Sequence, residues 1–304
     1  MDNTDISWDL YRSFLAVVEE GSLSAAARSL GLTQPTIGRH VEALEASLGV
    51  ALFTRSQSGL SPTDVAHGLV PHAETLRATA NALRRSATAT RDEVSGTVRI
   101  SASDVIGAEV LPGILAGVRR EYPQLDVELV ASNRNQDLLQ RHADIAVRMA
   151  VPTQGALVAR KVGTVALRLY ARNDYLERHG MPQTVDELKS HSLIGFDRET
   201  AFIRAMQDRG LPLRRAMFAL RTDSDLAQLG ALRAGFGIGM CQVALARRDP
   251  RLVPVLADSI SAGLETYVVM HEDMRASRRC RVMFDALFDG MAAHIAAENV
   301  PSLS

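Results

Sequence analysis

Thr33, Gln34, Thr36 and Arg39 fall within one short stretch, "TQPTIGRH", with Pro35 and Gly38 set among them. Hydroxyls, an amide and a guanidinium at one end of a helix can match the donor and acceptor pattern of base edges in a DNA groove. Such reading needs the helix backbone to come close, and Gly38 allows that at about 1 kcal/mol of helix propensity. Thr33 is a good N-cap, which places Gln34 and Pro35 in the first two helical positions. There the missing proline N–H has no intrahelical partner to lose. Ile37, Val41, Leu44 and Leu48 then form the inward stripe. At ~100° per residue, Pro35, Arg39, Glu42 and Ala46 face the other way, with Gln34, Thr36, Gly38 and His40 toward the flanks.

Other elements must hold that face in place. Leu10, Phe14, Val17 and Val18, at i, i+4, i+7 and i+8, predict a first helix ending at Gly21. Ser24 can cap a second, Ala25 to Leu30, whose small Ala26 and Ala27 admit close packing, and Gly31 supplies the turn. Two helices, a tight turn and a third helix with a polar start match a helix-turn-helix. A three-helix knot with a solvated outer face has the same spacing. Residues 50–64, "VALFTRSQSGLSPTD", read as a hairpin around Ser56-Gln57-Ser58-Gly59, with Arg55 on its tip side. Beside a recognition helix this is a wing whose arginine reaches phosphate or the minor groove. Taken alone, Arg55 is a solvated charge. Ser61-Pro62-Thr63-Asp64 then opens a longer helix, with a cap and a proline at its first position. Along it Leu69, Ala73, Leu76, Ala80, Leu83 and Ala87 alternate spacings of four and three, a heptad seam. A narrow seam asks for one partner helix. Packing on the chain's own first domain would satisfy it; we favour a homodimer, because a paired reader needs two half-sites.

The chain has 304 residues, 46% hydrophobic and 23% charged, enough for two or three domains with real cores. Its net charge of -1 lends no support to nucleic-acid binding, so charge placement must carry that case. The basic residues include only two lysines, Lys161 and Lys189. No apolar run reaches the ~18 residues of a membrane span. The acidic start, MDNTDISWDL, lacks a basic-then-apolar signal, so a cytoplasmic location is expected. Cys241 and Cys280 have no metal-ligand spacing and are expected as free thiols. The histidines form no H-E-x-x-H, His67 and His72 read as polar positions on the long helix, and no G-x-S-x-G is present. "GFGIG", 235–239, lacks the third glycine of a dinucleotide loop, because Met240 stands there, and reads as a strand-entry turn. Neither an enzyme nor a metal or cofactor is expected. A transport receptor would need the signal peptide and would have no use for the reader helices.

The stretch "FLAVVEEGSLSAAARSLGLTQPTIGRHVEALEASLGVALFTR", with the following "GLSPTDVAHGLVPHA", resembles the LysR-type transcriptional regulators of bacteria. Residue type, order and spacing agree over more than fifty residues. The resemblance implies an N-terminal all-α winged helix-turn-helix, a long dimerising linker helix and a C-terminal α/β effector domain of two periplasmic-binding-protein-like subdomains. It implies DNA contacts at Gln34, Pro35, Gly38 and Arg39 and wing contacts near Arg55. Two positions depart from the family pattern: Gly38 stands where serine is frequent, and the wing turn lacks a second arginine. Both imply fewer polar contacts.

The remainder fits that architecture. Arg91 to Gly96 is polar and reads as a hinge. "TVRISAS" (97–103), "DVELVAS" (126–132) and "ADIAVRM" (143–149) read as strands, separated by a helix through Val110, Leu111, Ile114, Leu115 and Val118 and a short one over 135–142. "LIGF", a helix from Ala201 to Arg209, "MFALRTD", a helix Ser224 to Ala234, "GIGMCQV", the strand "ETYVVMH" (265–271) and a helix with Val282, Phe284, Leu287, Phe288 and Met291 follow. This alternation predicts parallel sheets with sites at the strands' C-terminal ends. The expected domains are 1–63, 64–91 and 92–304. The chain is expected to cross between subdomains near 161–165 and 262–266, giving 95–162 with 266–304 as the first and 163–265 as the second. Candidate effector contacts are Ser101, Ser103, Asp104, Ser132, Asn133 and Arg148, facing Phe196 to Thr200, Thr222, Asp223 and Ser224. Hydroxyls and N–H groups at helix starts favour an anion, while Asp104 favours an amine or hydroxyl. Helix capping by the serines and Asp223, or a salt bridge at Arg148, uses the same residues. The expected partners are double-stranded DNA, a small-molecule effector and further copies of the chain, a dimer through Leu69, Leu76 and Leu83 and, by resemblance, a tetramer.

Overall fold

The computed structural model describes residues 6–56, 59–87, 94–133, 143–149, 157–199, 203, 204, 207 and 213–298 and divides near residue 88 into two compact units. The helix expected over 135–142, most of that from Ala201 to Arg209, the turn residues Gln57 and Ser58, Arg91, Thr200 and the side chain of Arg55 lie outside the described residues.

The first unit is built around α1 (Trp8–Glu20). Its residues Ser13 to Val17 are all buried, because it is packed from two sides. Ala16 and Val17 meet Ala26 and Ala27 of α2 (Leu23–Leu30) and Ile37 and Val41 of α3 (Gln34–Leu48). Phe14 and Leu15 meet Leu44, Leu52, Ala66 and Ala73. Ser22, not Ser24, caps α2, accepting from the Ala25 N–H at 3.2 Å; the extended backbone at Ser22 lets the helix begin at Leu23. A hairpin, β1 (Phe53–Ser56) and β2 (Gly59–Pro62), follows α3. Glu45 of α3 ties it down, its Oε1 accepting from the Leu52 and Phe53 N–H groups at 2.6 and 3.1 Å. The long helix α4 spans Asp64–Ala87. Thr63 is its cap, accepting from Ala66 N–H at 3.2 Å, whereas Pro62 is not its first residue but pairs with Phe53 in the hairpin. Pro71 lies inside α4 without ending it.

The second unit holds one mixed sheet of order β10-β6-β11-β5-β3-β4, with β9 paired to β6. Its strands are β3 (Gly96–Ala102), β4 (Leu125–Ala131), β5 (Ile145–Arg148), β6 (Leu157–Arg172), β9 (Gly239–Gln242), β10 (Leu252–Val255) and β11 (Ser261–His271). Strand β3 is parallel to β4 and β5, but β11 enters antiparallel to both β5 and β6, so the expectation of purely parallel sheets is corrected. The reason is the long β6: β11 runs back along Leu157 to Arg168, and β10 along Leu169 to Arg172. The two stretches read as crossings lie opposite each other on this ladder, Gly163 against Thr266, beside a register shift at Thr266/Tyr267. A short parallel pair, β7 (Leu193–Gly195) and β8 (Phe218–Arg221), is joined to the start of β9 by one bridge, Leu193 to Ile238. There "GFGIG" is a strand-entry turn: a Cβ on Gly237 would stand 1.9 Å from the Ser192 carbonyl oxygen.

The helices cover this sheet. The single helix expected through Val110 is two, α5 (Asp104–Glu109) and α6 (Leu111–Glu121), broken where Pro112 cannot continue the hydrogen-bond ladder. Then come α7 (Asn173–His179), α8 (Asp225–Arg233), the single turn α9 (Val243–Ala246) and α10 (Arg278–Ala296). The buried stripe of α10 is Cys280, Met283, Phe284, Leu287 and Met291, so Met283 takes the inward place expected of Val282.

Candidate functional site

Helix α3 has two faces with different work. Ile37, Val41 and Leu44 are buried in the three-helix core. Gln34, Pro35 and Arg39 are exposed on the opposite side. Thr33 accepts from Thr36 N–H at 3.4 Å, and its hydroxyl meets that of Thr36 at 2.8 Å, so the two hydroxyls satisfy each other across the first turn. His40 turns inward and shares a 2.7 Å hydrogen bond with the buried Ser13 hydroxyl, which pins the helix to α1. Among the described residues nothing gives Gly38 a packing reason: a Cβ there would meet only Leu23 Cδ1, at 3.9 Å. The hairpin tied to Glu45 stands beside α3 as a wing does.

The heptad seam of α4 splits in two. Ala66 and Ala73 are buried on Phe14 and Leu15, Leu69 is partly buried there, and Arg77 reaches Glu19 at 2.7 Å. That half is used within the chain. Leu76 and Leu83 stay 45% and 62% exposed.

In the second unit a cavity of about 370 Å³ lies where the ends of β3, β4 and β5 meet α8 and β9. Ser103, Ser132, Asn133, Arg148 and Phe196 line it, as do Asp225, Gln228, Gln242 and Cys241, with an apolar wall that includes Leu167, Leu229, Met240 and Leu264. Ser101, Asp104, Thr222 and Asp223 stand outside the lining. Ser101 is buried behind it and accepts from the Arg148 guanidinium at 2.7 Å. Asp104 holds Asn133, whose Oδ1 accepts from the Asp104 N–H at 3.1 Å and whose Nδ2 donates to the Asp104 and Asp225 carboxylates at 3.2 and 2.8 Å. Asp223 turns to the loop after β7, accepting from the N–H groups of Asp197 and Arg198 at 3.1 and 3.0 Å. The Thr222 carbonyl accepts from Gln228 Nε2 at 2.8 Å.

Burial sets the electrostatics here. It pushes the Asp225 carboxyl above its ordinary range; the Asn133 hydrogen bond opposes this and the nearby Asp104 charge adds to it. Burial likewise raises the Cys241 thiol to about 12, so this cysteine is an inert wall group and not a thiolate. It lowers His294 of α10 to about 4, helped by Arg248, which keeps the imidazole neutral. His294 links Arg248, 3.3 Å from Nδ1, to Gln242, 3.2 Å from Nε2. Arg248 also donates to the Glu109 carbonyl at 2.8 Å. The Glu109 carboxylate takes a bidentate pair from Arg233 at 2.7 Å, which holds it below its ordinary range against the opposing effect of burial. Among the described residues no group of His, Cys, Asp and Glu could hold a metal ion. No helix among them is long and apolar enough to cross a membrane.

A family model described as the bacterial regulatory helix-turn-helix protein, LysR family, matches residues 8–67. The model of the LysR substrate binding domain matches residues 91–292. The chain belongs to the LysR family. It is a DNA-binding transcriptional regulator with a substrate-binding effector domain, and not an enzyme. The HTH-type transcriptional regulator CrgA of Neisseria meningitidis serogroup C is 26% identical over 288 residues, covering 93% of this chain and 96% of CrgA. The solved structure of CrgA from Neisseria meningitidis is similar over 92% of this chain and 97% of its own, with 25% identity and a TM-score of 0.57. Full-length CbnR, solved with its target DNA, shares the fold alone, at 20% identity, 96% and 99% coverage and a TM-score of 0.62.

For this LysR-type regulator the sequence pointed to five of the sixteen residues that line the cavity. Asp225, Gln228 and Gln242 were absent from the candidates because two sit on helix α8 behind its cap and the third closes a strand of unremarkable composition. A position four residues past Ser224 faces the same way as the cap, and that signal could have found Gln228.

Proposed function

We propose that this regulator reads paired DNA half-sites with α3 and senses a small molecule in the cavity of its second unit. The exposed start of α3 carries the reading: Gln34, Thr36 and Arg39 address base edges, Pro35 and Gly38 let the backbone approach, Thr33 sets the cap, and Arg55 on the wing holds phosphate or the minor groove. The observation behind it is Gly38, a helix-weakening residue that no contact among the described residues requires. The domains are 1–63, 64–91 and 92–304, with the effector between subdomains 95–162/266–304 and 163–265. Ser103, Asn133, Arg148 and Phe196 touch it, while Ser101 positions Arg148, Asp104 positions Asn133, Thr222 positions Gln228 and Asp223 holds the loop that follows Phe196. Two copies join through α4 along Leu76 and Leu83, Leu69 being taken up by the chain's own α1, and two dimers form a tetramer in the cytoplasm. The DNA complex of CbnR, a protein of the same fold, is consistent with this assignment. A ligand acts on such an assembly only through its differential affinity for the two states, usually ~1–3 kcal/mol of coupling.

The test is a mobility-shift assay of the purified protein on the DNA upstream of its own gene. Arg39→Ala is expected to weaken binding by ~1–3 kcal/mol and relax base preference at one position per half-site. Arg55→Ala is expected to weaken all sequences alike and flatten the salt dependence. Unchanged operator affinity in Arg39→Ala overturns the assignment of α3.

A further inference from the structure

Two glutamines on the cavity wall are nearly withdrawn from solvent, Gln228 at 9% and Gln242 at 6% exposure. Each amide is anchored by one atom, and the anchor decides which atom is left over. Arg248 has only donors, so the His294 nitrogen facing it, Nδ1, must accept. The neutral imidazole therefore carries its proton on Nε2 and donates it to Gln242. Gln242 meets that proton with Oε1, which leaves its NH₂ as a donor. The Thr222 carbonyl can only accept, so Gln228 gives it the NH₂ and keeps Oε1 as an acceptor. Among the described residues no other group takes either remaining amide atom.

The cavity wall thus offers both kinds of polar group. Gln242 and the Arg148 cation supply donors. Gln228 and Asp225, one helical turn before it on α8, supply acceptors. The rest of the wall includes Leu167, Met240, Leu264 and Phe196. We propose that the ligand is a small carboxylic acid with an apolar body and a distal hydroxyl, its carboxylate received by Gln242 and Arg148 and its hydroxyl donating to Gln228. This rests on the reading of the cavity as the effector site. A hydroxyl suits this wall better than an amine, because Gln228 offers a neutral acceptor and the Asp225 carboxylate already accepts from Asn133, so a buried ammonium would be poorly compensated. Leaving a buried amide atom without a partner penalises the analogue that lacks the matching group, so discrimination should be sharp.

Calorimetry on the full-length protein with three probes, 4-hydroxyphenylacetate, phenylacetate and tyramine, tests this. The hydroxy acid should bind about tenfold or more tighter than phenylacetate, with tyramine weakest. Gln228→Leu should erase the advantage of the hydroxyl and leave phenylacetate unchanged. Gln242→Leu should weaken both acids. Should Gln228→Leu lower the melting temperature, Gln228→Met, closer in shape, is read in its place. His294 is a positioning residue: His294→Phe frees the Gln242 amide to turn and should narrow the preference for acid over amine, whereas a merely structural role would lower all three affinities together. Equal binding of the two acids, tightest binding of tyramine, an unmoved ratio in the Gln228 variant, or no binding of any probe at millimolar concentration overturns the inference. A hydroxy acid that binds with these ratios but leaves operator affinity unchanged supports it and overturns the effector reading. A ligand that shifts operator affinity without these ratios does the reverse.

Discussion

Helix α3 and the cavity of the second unit solve recognition in opposite ways. On α3 the polar side chains Gln34 and Arg39 project into solvent from a helix fixed by its other face, through Ile37, Val41, Leu44 and the His40–Ser13 hydrogen bond. In the cavity almost every polar group is held by another: Asn133 by Asp104 and Asp225, Arg148 by Ser101, Gln242 by His294 and Gln228 by Thr222. A surface that meets a large, highly charged partner can leave its side chains mobile, because many weak contacts add. A cavity that meets a small molecule has few contacts, and each must be oriented in advance.

The same contrast runs along α4, and the largest effects are expected there. Ala73 is buried on α1, whereas Leu76, one turn on, is 45% exposed. Ala73→Asp puts an unpaired carboxylate into the reader core and should destabilise that unit by roughly 3–5 kcal/mol, seen as loss of its unfolding transition. Leu76→Asp leaves the charge in water within one chain, so folding should survive while the dimer splits. Operator affinity should then fall roughly 100-fold or more, because the second half-site is no longer tethered. Sedimentation that finds Leu76→Asp still dimeric would move the dimer seam elsewhere.

How much of this was legible in the sequence follows from the same division. Helix α3 was legible because it has one partner face and one solvent face: the stripe Ile37, Val41, Leu44 and the cap Thr33 are local signals, and the structure places α3 at Gln34–Leu48 behind that cap. Strand β6 was not, although it is the longest in the sheet. Its first half is exposed or half-buried, and in its second half the consecutive Leu169, Tyr170 and Ala171 are all buried, so "LVARKVGTVALRLYAR" shows no single period. The cavity was partly legible. Strand ends pointed to Ser103, Asn133 and Arg148, but the polarity of the two glutamines depends on Arg248 and His294, far apart in the chain, and no local pattern carries that.

A smaller effect sharpens the electrostatic side of the comparison. A histidine in the unfolded chain takes up its proton as pH falls through about 6.5, whereas His294 in the fold does so only near about 4. Between those values the unfolded chain binds more protons, so the contribution of neutral His294 is fully present above about 6.5 and is lost as pH falls toward about 4. The loss should be on the order of 1–2 kcal/mol between about pH 6.5 and about pH 5, read from urea midpoints of the second unfolding transition. His294→Asn should remove that slope. Glu109, held below its ordinary 4.5 by Arg233, adds its own loss only at more acid pH, so the two can be told apart. A slope unchanged in His294→Asn would mean that the imidazole is already charged in the fold, and the assigned direction of the Gln242 amide would fall with it.

The smallest expected change bears most directly on what α3 is for. Gly38 weakens its helix, and an added methyl would touch only Leu23 Cδ1 at an ordinary 3.9 Å. Gly38→Ala should therefore stabilise the first unit by roughly 0.5–1 kcal/mol, since alanine restricts the unfolded chain and favours the helix. If the glycine is there for a surface that comes close from outside, the same methyl should weaken operator binding. Stability and binding would then move in opposite directions. A purely structural glycine predicts that they move together, or that binding stays put. Thermal melts paired with a shift assay on one preparation of Gly38→Ala decide between these. A variant that is more stable and binds as tightly as the parent would remove the main support for a close approach at this position, and would shift the burden of reading to Gln34 and Arg39.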